Sequence, residues 1–239
     1  MISYRIPSNQ FNQSQEHRLM NLVHIKKEPI DAKSEFNPLE MLDIFEHGRQ
    51  IKVIERTANP YITQYLDTAA PKLAKGFNYV MHAGQVISAK LLKDNVLPNQ
   101  TGREAFLLDI DHLSDLYFNL MGCPQIGLRI EVLNSAMCPK FHVDKTGIRM
   151  LCTYQGQGTQ WLEDIYADRS KLGMASAHLD DSNSGLILNP QGVHTAPRFA
   201  IALLKGSLWQ GNHMAGVIHR SPAFLDSSPR VLLALDALW

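Results

Sequence analysis

The chain is poor in cysteine: Cys123, Cys138 and Cys152 are the three in 239 residues, at no regular spacing. So low and odd a count argues against a disulfide framework and fits a reducing cytoplasm. Long apolar runs are missing. With no stretch of about 18 apolar residues, no membrane-spanning helix is expected, and residues 1–27 are charged and polar where a signal peptide needs an apolar centre. Neither sign of charge dominates, since Lys plus Arg and Asp plus Glu each number 23. No overall field therefore favours nucleic acid or an anionic membrane. Gly-x-Ser-x-Gly and phosphate-loop signatures are absent, and Gly156-Gln157-Gly158 is too short to cradle a phosphate and reads as a hairpin turn. There is no internal repeat and no low-complexity run.

What remains is an ordinary globular composition, 45% apolar and 19% charged. Residues 1–35 read as a polar arm. Residues 36–239 read as a single domain, mainly helical over 36–122 and β-rich over 123–239. Asn37-Pro38 and Asn59-Pro60 are helix starts, a capping Asn before a Pro tolerated at the first helical position. Leu39, Leu42 and Phe45 continue the first towards Gly48; the second runs towards Ala70. Ile51–Arg56 and Phe77–Met81 alternate as strands. Thr101-Gly102-Arg103-Glu104 has the form of a capping box. The stripe Phe106, Leu107, Ile110, Leu113, Leu116, Tyr117 and Leu120 then predicts a helix ending near Gly122. Asp109, Asp111, His112 and Asp115 on that helix read as a solvated face.

After Gly122 the pattern turns to strands. They are expected at 127–133, 141–144, 148–154, 158–162, 185–188, near His194, and at 199–205, 217–220 and 230–235. The polar stretch 165–184 is expected to be a loop over one end of the assembly. Short strands separated by Gly and Pro turns suggest a sandwich or jelly-roll barrel, and with the helices before them the fold class is α+β.

One stretch carries chemistry. In Phe141-His142-Val143-Asp144 a strand would point His142 and Asp144 to one face, because side chains alternate with period two. His219 lies 219 − 142 = 77 positions on. Two imidazoles and a carboxylate that leave coordination positions open form the facial triad of non-haem Fe(II) oxygenases. The plain alternative is a hydrogen-bonded surface pair. Cys138 offers a rival Cys/His/Asp/His zinc site, or is a buried inert thiol. His194 and His213 could be spare ligands or locally bonded groups. Glu163 and Asp164 could be an acid/base pair or a solvated turn. Tyr154, Trp161 and Trp209 could line a substrate pocket or fill the core.

The order His142-x-Asp144, then His219, then Arg230 resembles the Fe(II)/2-oxoglutarate-dependent dioxygenase superfamily. That resemblance implies a double-stranded β-helix packed on the N-terminal helices. It also implies Fe(II), with zinc as the alternative, on His142, Asp144 and His219, and 2-oxoglutarate as a small-molecule co-substrate. Arg230 would pair with the far carboxylate of 2-oxoglutarate. Many dioxygenases carry Arg-x-Ser on that strand. Here it reads Arg230-Val231-Leu232, so Arg220 and Arg149 stand as rival anion partners. The runs Cys138–Asp144, Thr153–Leu162 and His219–Pro222 also resemble an uncharacterised bacterial family, a domain of unknown function, over roughly residues 120–239. Some of its members are associated with zinc-limitation genes. Two readings follow: a hydroxylase using 2-oxoglutarate, or a non-catalytic metal-binding or zinc-homeostasis protein on the same barrel.

Overall fold

The computed structural model describes residues 36–73, 75–173, 178–224 and 228–239. The expected polar arm, 1–35, lies outside the described residues. Among the described residues there are three α-helices: α1 (Pro60–Ala69), α2 (Ile87–Lys93) and α3 (Arg103–Met121). Nine strands among them form two antiparallel sheets. They are β1 (Ile51–Ile54), β2 (Gly76–His82), β3 (Gln125–Leu133), β4 (Ile148–Gln155), β5 (Gln160–Leu162), β6 (Val193–Thr195), β7 (Ile201–Lys205), β8 (Ile218–Arg220) and β9 (Arg230–Leu238). The larger sheet runs β1-β7-β4-β9-β3-β2 and the smaller β6-β5-β8. The fold is thus mixed α/β with antiparallel sheets. Because β1 pairs with β7 and β2 with β3, the N-terminal half is built into the same sheet as the C-terminal half.

The period-two pattern in β9 places Val231, Leu233 and Leu235 against the α3 stripe, in one core with Leu113, Leu116 and Tyr117. Leu232 and Ala234 face the other way, towards Leu151, Ala202, Leu204 and Val217. Burial of each such Leu contributes about 1.5–3 kcal/mol. The Tyr117 hydroxyl fixes α3 on the sheet, donating to the Ile148 carbonyl (2.5 Å) and accepting from the Ala237 N–H (3.0 Å).

Local differences from the sequence reading have physical causes. The segment Pro38–Phe45 is a 3-10 helix, although Asn37 caps it as expected. Its apolar residues repeat strictly every third position, which suits three residues per turn. Thr101 does not cap α3. Gly102 is the cap, at φ +89°, with no side-chain bond. A Cβ there would meet the Tyr61 carbonyl at 2.3 Å, so close approach to α1 decides the position. The helix α2 has no side-chain cap and gave no start signal. Residues 185–188 make only the bridge Ile187–Ala167. The excursion from 165 covers a face, not an end: Tyr166, Leu172 and Ile187 pack over Phe141, Leu162, Leu186 and Ile218 on the outer side of the small sheet. Among the described residues no helix is long and apolar enough to cross a membrane, and the three cysteines are free thiols.

Candidate metal centre

Phe141–Asp144 is not a full strand. Only His142 pairs, in an antiparallel bridge with His219, their N–H and C=O groups exchanging bonds of 3.0 and 2.9 Å. Upstream, the Ser221 N–H donates to the Cys138 carbonyl at 2.9 Å and not to Lys140, which would be its partner in a regular ladder. Downstream, the Asp144 carbonyl accepts instead from the Ser207 N–H at 2.8 Å. The chain therefore turns at Asp144, and its carboxylate comes back between the two imidazoles. One oxygen lies 3.4 Å from His142 Nε2 and the other 3.3 Å from His219 Nε2. The ring centroids are 4.5 Å apart. One donor atom from each of the three residues falls within 4.8 Å of the others.

The tautomers follow from the other ring nitrogens. His142 Nδ1 lies 2.9 Å from the Lys140 carbonyl and His219 Nδ1 lies 3.1 Å from the Val217 carbonyl. A carbonyl only accepts, so each Nδ1 carries the proton. Neutral Nε2 atoms are then lone pairs, and they face a carboxylate that also only accepts. Such a cluster demands a cation, a proton or a metal ion, at its centre. The electrostatics agree. Burial opposes charge on His142, but the Asp144 carboxylate and the Lys140 carbonyl raise its pKa above the usual value. Burial likewise opposes charge on Asp144, but both imidazoles and Arg149 hold its carboxyl far below the usual range.

The three arginines differ. Arg149 donates to Asp144 and, at 2.7 Å, to Asp236 of β9. Arg220 follows His219 and so points to the opposite, outer face. There it pairs with Asp181 (2.7 Å) and Gln160 (2.9 Å) and stacks on Phe141 (4.3 Å). Both rivals are already paired with carboxylates. Arg230 is 2% exposed. It donates to the Gln157 carbonyl (2.8 Å), Thr159 Oγ1 (2.9 Å) and Thr153 Oγ1 (3.3 Å). Among the described residues it bonds no carboxylate. Burial pushes its pKa down to about 10, with Glu131 opposing. Arg230 lines a cleft of about 310 Å³ with Gln157 and Ser228.

The aromatic candidates separate. Trp161 pairs in register with both His219 and His194, so the three side chains share one face. His194 stacks on Trp161 at 5.2 Å and contacts Glu163 at 2.5 Å, a row that sequence spacing could not reveal. Tyr154 is not a pocket residue. It is wholly buried on the helix-facing side, edge-on to Phe106 and Phe199, and its hydroxyl donates to Asp109 at 2.7 Å. Nor does Trp209 adjoin the triad: it packs on Phe45 at 5.7 Å and lines a separate apolar cleft with Leu208 and Trp239. Cys138 is exposed and outside the converging group, so it supplies no fourth ligand. His213 is exposed, and Asp164 pairs with Arg169 at 2.6 Å.

Residues 36–236 match the model of a family described as a protein of unknown function, DUF1826. The chain belongs to this family. No curated protein matches. Among solved structures, the chain is similar to a dioxygenase for auxin oxidation from rice. Identity is 14% and the TM-score 0.42, over 98% of this chain and 70% of that one. It is also similar to a Pseudomonas putida prolyl-4-hydroxylase (10%, 0.39, 84% and 97%). A third is HygX from Streptomyces hygroscopicus with nickel and 2-oxoglutarate bound (9%, 0.41, 80% and 83%). At these values the likeness is loose, and the functional reading rests on the chain's own residues.

Proposed function

We propose that this member of the family is an Fe(II)/2-oxoglutarate-dependent dioxygenase that hydroxylates a substrate in the cytoplasm. We also propose that residues 36–239 act as one domain whose two sheets are the halves of a double-stranded β-helix. Counting the His142 bridge beside β8, the small sheet has four strand positions, as do β7-β4-β9-β3 of the larger. Eight positions in two sheets is the jelly-roll number. The observation that carries the metal reading is the acceptor-only cluster of His142 Nε2, His219 Nε2 and the Asp144 carboxylate. The donor set suits a divalent transition metal, with the carboxylate offsetting charge that two imidazoles cannot. When bound, Fe(II) would supply a Lewis-acid centre with positions left for co-substrate and oxygen.

The residues around it have definable tasks. The Lys140 and Val217 carbonyls orient the imidazoles, and Arg149 orients Asp144. Arg230 is a buried cation that bonds no carboxylate among the described residues, and leaving such a charge uncompensated costs several kcal/mol. A carboxylate forked by its guanidinium and flanked by Thr153 and Thr159 would relieve that cost. Leu151, Ala202 and Leu232 keep the space between the sheets apolar.

Protein purified without oxygen should hold one Fe(II) or Mn(II) and bind 2-oxoglutarate by calorimetry. His142→Ala should lose the metal while staying folded. Arg230→Leu should keep the metal and bind 2-oxoglutarate about tenfold or more weakly, as expected for losing a charged hydrogen bond. Wild-type protein that binds metal but shows no 2-oxoglutarate affinity at millimolar concentrations would replace the enzyme with the metal-binding alternative.

A further inference from the structure

The cleft beside Arg230 is continuous with a second one. Gly156, Gln157, Arg198 and Ala223 line both, the first of about 310 Å³ and the second of about 660 Å³. Gln160 and Arg220 of the second cleft point to the outer face of the small sheet, opposite to Trp161 and His219, and its inward neighbour is the Arg230 cleft. Arg198 stands where the two clefts meet. It is exposed and makes no hydrogen bond or ion pair among the described residues.

The loop that carries Arg198 is held firmly. Phe199 sits at φ +64°, a conformation that costs a bulky residue on the order of 1–3 kcal/mol. Burial of its ring offsets that strain, with a bond from its N–H to the Thr153 carbonyl and one from Arg56 Nε to its own carbonyl, both 2.8 Å. Phe199 is turned into the core, and Arg198 is left on the cleft side. One step back, the Ala196 N–H donates to the Thr159 carbonyl at 3.0 Å. A Cβ on Gly158 would meet the Ala196 carbonyl at 1.8 Å, so only glycine lets the two loops touch. The same 156–159 turn supplies Arg230 with the Gln157 carbonyl and the Thr159 hydroxyl. One rigid turn thus sets the relative positions of two guanidiniums. Arg220 is neutralised by Asp181, and among the described residues the opposing carboxylate on the cleft wall is Asp67, which accepts from Gln155 Nε2 at 3.3 Å.

We propose that this joined cleft takes the primary substrate by an oxyanion, a carboxylate or phosphate, and that Arg198 is its handle. The identification of that anion with the substrate rests on the oxygenase reading; the anion site itself does not. A free, forward-placed guanidinium forks either group, whereas the buried Arg230 is left for the co-substrate.

The test uses the full chain without metal, labelled at arginine nitrogen, titrated by NMR with inorganic phosphate and, separately, with acetate. Either anion should shift the Arg198 side-chain signal saturably at millimolar concentration, and the tighter of the two names the group. Arg198→Gln should weaken that binding about tenfold, and Arg230→Gln should leave it within about twofold. Absence of a saturable shift overturns the proposal, as does loss of anion binding in Arg230→Gln with Arg198→Gln unchanged. Calorimetry of 2-oxoglutarate with Mn(II) on the same proteins separates the two readings. Wild-type protein that ignores 2-oxoglutarate yet binds phosphate through Arg198 removes the oxygenase and keeps the anion site. Normal 2-oxoglutarate binding in Arg198→Gln with no anion response in wild type does the reverse.

Discussion

At the scale of single residues, the candidate centre is a problem of matching donors to acceptors. Two backbone carbonyls fix the protons of His142 and His219 on Nδ1, and Asp144 adds a third acceptor to the two Nε2 atoms. Arg149 controls how Asp144 meets them. It ties the carboxylate to Asp236, which Arg129 also holds at 3.1 Å. Arg149→Met should therefore leave the three ligands in place but poorly aimed. Metal affinity should fall by about 10–100-fold, the usual effect of removing a group that orients a ligand, as read by competition with a chelator. An unchanged affinity would mean that Asp144 is positioned by its turn alone.

At the scale of elements, the joint between α3 and the large sheet is polar at one point. Asp109 of α3 accepts from Arg56 at 2.7 Å and from the Tyr154 hydroxyl at 2.7 Å. Asp109, Asp111, His112 and Asp115 read from the sequence as a solvated face, but Asp109 is turned inward to Arg56, which follows β1. Burial opposes its charge, yet Arg56 and Tyr154 hold its carboxyl below the usual value. The folded pKa is thus lower than the unfolded one. The stabilisation is full above the unfolded value of about 4 and is lost as pH falls through the folded one. Acid unfolding should show this loss, and Asp109→Asn should flatten it. Asp109→Ala, which leaves the Arg56 cation unpaired, should cost about 3–5 kcal/mol in urea denaturation.

At the scale of the whole molecule, the ligands come from segments far apart in the chain: His142 and Asp144 before β4, His219 in β8. A metal ion at the centre would cross-link these segments in the folded state only. Saturation with Mn(II) at a hundredfold excess over its dissociation constant should stabilise the fold by about 2.7 kcal/mol. A chain of this size should melt roughly 2–4 °C higher per kcal/mol. Differential scanning of wild-type protein should show that rise, and His219→Ala should show none. An equal rise in both would place the ion elsewhere.

The sequence by itself determined what local pattern can determine. Alternation over 127–133, the apolar run over 231–235, the apolar stripe of α3 and the Asn59 cap are set by short-range pattern and hydrogen bonding, and the structure has them all. The types and order of His142, Asp144, His219 and Arg230 were legible for the same reason, since chemistry limits which residues such a centre can use. Only the tertiary structure decided which arginine lacks a carboxylate partner among the described residues. Arg149, Arg220 and Arg230 look alike in a string of letters. The carboxylates that neutralise the first two, Asp236 and Asp181, arrive from distant segments through sheet register and loop packing, and among the described residues none reaches Arg230. Tertiary packing likewise turned Asp109 inward and put Gly102 in place of a threonine cap. It also stacked His194 on Trp161 beside His219. Long-range contacts set which face a side chain meets and what it meets there, and no local pattern encodes them.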